Sequence, residues 1–164
     1  TITAIDISHQ MHRHALDYLH TDRQDKITHI EANALETPLP DGLADAVVST
    51  FGLKTFSPAQ HITLAKQVAR LLKPGGSFSL IEASNPSGWW LYPLYRLYLT
   101  GVLPQIERWF LKGAEDFAMF ATYTKTFENC DGFAAALRAE GLEVTQTNHI
   151  FGSATSVQGR KPNL

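Results

Sequence analysis

The stretch Leu71-Leu72-Lys73-Pro74-Gly75-Gly76, followed by Ser77-Phe78-Ser79-Leu80-Ile81-Glu82, decides how the chain is read. A Lys, a Pro and two Gly in succession stop a helix, and the apolar run that follows opens a strand. Upstream, Ile62, Ala65, Val68, Ala69 and Leu72 recur at helical spacing. Ser57-Pro58 supplies an N-cap and a proline at the first helical position. Further back, Pro38, Pro40, Asp41 and Gly42 mark a loop, and Ala46-Val47-Val48 reads as a fully buried strand of the kind parallel sheets use. Two more strands precede it, Thr1 to Ile7 and Ile27 to Glu31. Between them, Ser8 caps a helix with Met11, Ala15, Leu16 and Leu19 on one face. Strands alternating with helices predict a doubly wound, mostly parallel sheet covered on both faces.

Downstream the texture changes. Between Asn85 and Phe127 lie Trp89, Trp90, Tyr92, Tyr95, Tyr98, Trp109, Phe110, Phe117, Phe120, Tyr123 and Phe127, 11 of the 17 aromatic residues. This is read as an inserted, helical, aromatic excursion over about residues 85–128. Order returns with a helix over Asp131 to Glu140, with Phe133, Ala134 and Leu137 inward and Gly141 as its cap. Two closing strands, Glu143 to Thr147 and Ile150 to Val157, must be antiparallel, because a parallel return needs a crossover of about a dozen residues.

At 164 residues and 44% hydrophobic content, one domain with a proper core is expected. A formal charge of -2 and the lack of a basic run argue against a nucleic-acid partner. The lone Cys130 has no partner for an internal disulfide and no metal-type spacing around it. It is expected to be a structural, inert thiol, and no metal site is expected. No apolar stretch approaches the roughly 18 residues of a membrane span, so a soluble protein is expected, and the single cysteine points to a reducing, cytoplasmic compartment. Because Thr1 to Ile7 reads as a buried strand without a lead-in, further sequence is expected upstream.

In such a sheet ligands lie at the carboxyl ends of the strands. Asp6 sits where an acid accepts hydrogen bonds from a ribose diol; the alternative is a charge serving the following helix N-terminus. Asn33, with the backbone of Ala34, could read the edge of an adenine ring; the alternative is an ordinary turn asparagine.

Four blocks, Thr3 to Ser8, Glu31-Ala32-Asn33-Ala34 leading to Pro38 through Gly42, Phe51-Gly52-Leu53-Lys54, and Leu71 to Gly76, resemble in content, order and spacing the class I S-adenosylmethionine-dependent methyltransferases. Tyr92 to Tyr98 and Val102-Leu103-Pro104 extend the likeness to the ubiquinone/menaquinone biosynthesis C-methyltransferases. The resemblance implies a Rossmann-like methyltransferase sheet with an antiparallel C-terminal strand pair. It implies S-adenosylmethionine as cofactor, with Asp6 at the ribose, Asn33 and Ala34 at the adenine, Thr50 near the methionine moiety, and the adjoining Ile7 and Phe51 also cofactor-binding. It further implies that the excursion covers a small apolar acceptor, a quinol ring with or without a prenyl tail, against Trp89, Tyr92, Tyr95 and Phe120. A homodimer and transient contact with a membrane surface around Trp89 and Trp90 are expectations of the same kind.

Three departures stand out. Lys54 replaces the family's usual Arg and loses its bidentate fork. Phe117, Ala118 and Met119 stand where the family has Tyr, Arg and Tyr, which leaves open an acceptor other than the family's quinols. The glycine-rich first strand and turn are absent; in the family that strand lies between the strand ending at Asp6 and the one ending at Thr50, so two strand edges should face a gap. Carbon methylation also needs a group that removes a hydroxyl proton, for which Lys54, Tyr123 and His149 are the candidates. His9, His12, His14 and His20 read as surface residues. Rival readings are an O- or N-methyltransferase, a nicotinamide-dependent oxidoreductase, and a non-catalytic relative acting as a binding partner.

Overall fold

A computed structural model describes residues 1–19, 26–86, 89–102, 105–106 and 127–163. The elements are β1 (Ile2–Asp6), α1 (His9–Leu19), β2 (Ile27–Glu31), β3 (Ala44–Thr50), a 3-10 turn (Leu53–Thr55), α2 (Pro58–Leu71) and β4 (Leu72–Ala83). These are followed by α3 (Tyr92–Leu97) running into a π turn (Tyr98–Val102), then α4 (Asp131–Ala139), β5 (Glu143–His149), a second 3-10 turn (Ile150–Gly152) and β6 (Ala154–Arg160).

The strands form two sheets. In the first, β1 and β2 run parallel, with Ile2 opposite Ile27 and Asp6 opposite Glu31. The second has the order β3-β4-β6-β5: β3 and β4 are parallel, and β6 is antiparallel to both β4 and β5. Among the described residues β1 and β3 each have one strand neighbour, so each keeps a free edge. The edge of β1 is not paired to that of β3, which is the arrangement expected of a sheet with one strand left out of its middle.

Burial follows from this. α2 begins with a capping box: the Ser57 hydroxyl accepts from Gln60 N at 3.3 Å and the Gln60 side chain from Ser57 N at 2.8 Å. Leu64, Ala65 and Val68 of α2 join Phe133, Ala134 and Leu137 of α4 over Phe78 and Leu80 of β4 and Val157 of β6. This face is closed. The other face of β4 shows exposed Ser77 and Ser79, so the expected cover on both faces is not found among the described residues. Val48, expected inside, is 75% exposed, because β3 has no second neighbour and nothing described covers that side. Ile2, Met11 and Leu16 are exposed as well, so neither β1 nor the apolar side of α1 is buried as expected.

Two boundaries also differ from the expectation. Strand pairing resumes at Leu72, opposite Ala44, directly after α2; Lys73 to Gly76 then bulge before Ser77 meets Ala46. Gly75 takes φ 76° in the bulge, and Lys161 closes it through Gly75 N and Gly76 O. At the other end, Ile150 and Phe151 are a left-handed turn rather than strand, with φ 45° and 56°.

The ends of the excursion meet, since Asn85 N donates to Glu128 O at 2.7 Å. Beneath that neck the Thr155 hydroxyl bonds to Ser84 and accepts from Cys130 N. Cys130 is fully buried, and burial raises its thiol pKa to about 11, in keeping with an inert structural residue. No helix among the described residues is long and apolar enough to cross a membrane.

Candidate functional site

The parallel strands β1 to β4 end in Asp6, Glu31, Thr50 and the Glu82-Ala83 pair. Asp6 accepts from Ser8 N through Oδ1 at 2.7 Å, and the Ser8 hydroxyl accepts from Met11 N at 3.3 Å, so the acid helps start α1. Its second oxygen, Oδ2, has no partner among the described residues and lies on an exposed side chain. Beside it, Ala32 N donates to Asp6 O at 3.0 Å, and Glu31 pairs with His9 at 2.8 Å. Ile7 is 69% exposed at the same edge. Asn33 makes the turn of its alternative reading, its Oδ1 accepting from Leu35 N at 3.0 Å. That leaves its amide nitrogen without a partner among the described residues. Ala34 and Leu35 pack against the main core.

The loop joining β2 to β3 is held from α2 by Arg70. Its guanidinium donates to Leu39 O at 2.7 Å, to Asp41 at 2.6 Å, and to the carbonyl and hydroxyl of Thr37 at 3.2 and 2.9 Å. This clamp connects the β1–β2 pair, with Asp6, Ile7, Asn33 and Ala34, to the larger sheet, which carries Thr50, Phe51 and Lys54.

Thr50 is exposed at the end of β3, opposite Ile81. Phe51 follows with φ 59°, a left-handed conformation that costs a bulky residue on the order of 1–3 kcal/mol and collects at functional sites. Its N–H donates to Ile81 O at 2.9 Å and its side chain is 55% exposed. Lys54 Nζ donates to Phe51 O at 2.9 Å and to Glu82 Oε1 at 3.0 Å. His61, buried between Phe127 and Phe133, donates from Nε2 to Leu53 O in the same turn at 2.9 Å.

Of the aromatic residues expected to meet a substrate, Trp89 stacks flat on Phe151 at 5.2 Å and lies tilted to Tyr95 at 5.9 Å. Tyr92 sits one helical turn before Tyr95. Burial, and then neighbouring Tyr92, hold the Tyr95 phenol above its ordinary pKa. The cluster stands at the carboxyl end of the larger sheet, where Ala83 and His149 both face Ala154. Phe120 and Tyr123 lie outside the described residues, as do Phe117, Ala118, Met119 and His20. His149 is hydrogen bonded through Nε2 to Ser156 at 2.8 Å. His9 and His14 are exposed, while His12 is half-buried, edge-on to His29.

Sequence reasoning passed over Phe151, Arg70 and Glu82. Glu82 left a trace, since Phe78, Leu80 and Glu82 alternate along β4 and so share its buried face. Phe151 and Arg70 left none, because each acts across the fold.

The family model of the ubiE/COQ5 methyltransferase family matches residues 1–161. The ubiquinone/menaquinone biosynthesis C-methyltransferase UbiE of Rubrivivax gelatinosus is 31% identical over 93% of this chain and 59% of its own length. Demethylmenaquinone methyltransferase of Bacillus licheniformis is 29% identical over 83% of this chain and 58% of its own. The chain thus spans under two thirds of the curated relatives it matches. A solved SAM-dependent methyltransferase from Methanosarcina mazei shares the fold, with a TM-score of 0.63 at 19% identity over 99% of this chain and 82% of that one. Strand order, strand ends and a match over nearly the whole length agree that this chain belongs to the ubiE/COQ5 methyltransferase family.

Proposed function

We propose that the chain carries the greater part of an S-adenosylmethionine-dependent C-methyltransferase acting on a quinol-type ring. The observation that carries the reading is the pair of edges on β1 and β3 that are free among the described residues, flanked by the strand-end residues Asp6 and Thr50. On this reading a further parallel strand with a glycine-rich turn completes the sheet between those edges and covers Ile2 and Val48.

The residues present suit the cofactor. Among the described residues Asp6 has an unused carboxylate oxygen for a ribose diol and Asn33 an unused amide nitrogen for an adenine edge, while Phe51 has an exposed ring held in a fixed conformation. When bound, S-adenosylmethionine supplies an activated methyl group on a sulfonium. The protein's own part is then position and the exclusion of water, with the acceptor ring made electron-rich by loss of a hydroxyl proton. Trp89 and Tyr95 offer flat apolar surface to such a ring. Trp90, Leu94 and Leu97, exposed on and just before α3, offer surface to an apolar tail or to the membrane that holds it.

Transfer of isotopically labelled methyl groups to a prenylated benzoquinol and a prenylated naphthoquinol, by the chain joined ahead of Thr1 to the glycine-rich strand and turn of a relative, tests this, with the position of the label read by mass spectrometry. Label on ring carbon supports the reading. Label only on oxygen or nitrogen acceptors would replace it with the rival methyltransferase classes.

A further inference from the structure

Glu82 has no assigned part in the site, yet its placement is costly. Phe78, Leu80 and Glu82 share the face of β4 that α2 and α4 cover, and the Glu82 side chain is completely buried. A carboxylate there persists only with its lone pairs filled. Oε2 accepts from Lys54 N at 3.0 Å; Oε1 accepts from Lys54 Nζ at 3.0 Å and from Ala83 N at 2.7 Å. One carboxylate therefore grips both the backbone and the ammonium of a single residue on the neighbouring strand's turn.

Lys54 passes the grip on. Its Nζ donates to Phe51 O at 2.9 Å and stands 5.5 Å from the centre of the Phe51 ring. Phe51 is the left-handed residue at the end of β3, a conformation that lasts only where its surroundings over-determine it. A buried ion pair is poor evidence of a stabilising role, since apolar residues of similar volume often serve a core as well. What such residues would not do is fix the Phe51 carbonyl and ring together.

We propose that Glu82 is a positioning residue which, through Lys54, holds Phe51 and the turn after β3 in the form that receives the cofactor. The identity of the ligand rests on the methyltransferase reading; the hold on the turn does not.

The decisive variant is the neutral pair Lys54→Met with Glu82→Gln, which removes the buried charges together and so spares the core an unpaired ion. All forms are made in the chain joined, ahead of Thr1, to the glycine-rich strand and turn of a relative. Melting temperature, amide hydrogen exchange at Phe51, Thr55 and Phe56, and calorimetric affinity for S-adenosylmethionine are compared with the same completed chain unsubstituted (wild type) and with Lys54→Arg. The double variant should melt close to wild type, while those three amides exchange about tenfold faster relative to Val157 in the core. Affinity should fall by about the same factor, whereas Lys54→Arg, which keeps the charge and the donors, should hold both within about threefold. A double variant with wild-type exchange and affinity would overturn the proposal, as would one that does not fold, because the pair would then be part of the core only. Absence of binding by wild type would count against the methyltransferase reading, and the exchange rates would still decide the role of Glu82.

Discussion

Replacing Arg70 by Met keeps most of the side chain's apolar stem and deletes the clamp on residues 37–41. The guanidinium serves three neutral acceptors in that loop, Leu39 O, Thr37 O and the Thr37 hydroxyl, and one charged acceptor, Asp41. Arg70 is 28% exposed, so water can replace part of what is lost, and each neutral acceptor is worth about 1 kcal/mol net. Asp41 is 77% exposed, and an ion pair of that kind contributes about 0–1 kcal/mol. Arg70→Met should therefore cost about 2–3 kcal/mol, while Asp41→Asn should cost less than about 1 kcal/mol. Denaturant titration followed by circular dichroism measures both. Exchange at the Leu35 and Glu36 amides, whose acceptors lie on Asn33, should quicken in Arg70→Met, because the clamp anchors the loop that carries the proposed adenine contact. A loss under about 0.5 kcal/mol in Arg70→Met would show that the loop is held by other contacts. A loss in Asp41→Asn equal to that in Arg70→Met would show that the exposed ion pair, not the carbonyl bonds, carries the clamp.

Two further outcomes follow from the geometry. Cys130 has its pKa raised from 9.0 to about 11, chiefly by burial, so its contribution to stability is complete below pH 9 and is lost as pH rises through about 11. Cys130→Ala should flatten that alkaline decline, and an unchanged pH profile would contradict it. Phe151 stacks on Trp89 but sits at φ 56°. Phe151→Gly should relieve strain of about 1 kcal/mol while losing a stack of about the same size, and so stay near wild type in stability. Phe151→Ala should lose the stack alone and fall by about 1 kcal/mol, and equal melting of the two variants would refute this.

What the sequence disclosed was local or periodic. Ser57 and Pro58 announce α2 because a cap and its helix are neighbours in the chain. The few residues between the last strands leave them no choice but to run antiparallel. Asp6 and Asn33 are legible because polar residues close apolar runs, whereas Thr50 comes only with the family resemblance. Burial was another matter. Val48 carries the pattern of an inner strand, but exposure depends on what lies beside it, and the described residues place nothing there. Lys73 to Gly76 read as a stop, although pairing of Leu72 with Ala44 carries the strand back across them as a bulge. Ile150 and Phe151 have the composition of a strand; Trp89, far away in sequence, packs against the turn they form instead. The grip of Glu82 on Lys54 spans 28 positions, and nothing near either residue signals the other.

The account stands most directly on cofactor binding. The measurement is calorimetric titration of S-adenosylmethionine into this chain joined, ahead of Thr1, to the glycine-rich strand and turn of a relative, with Asp6→Ala beside it. The account predicts one-to-one binding that weakens by about tenfold or more in Asp6→Ala, because the ribose loses its acceptor. No binding, or binding indifferent to Asp6, would contradict it.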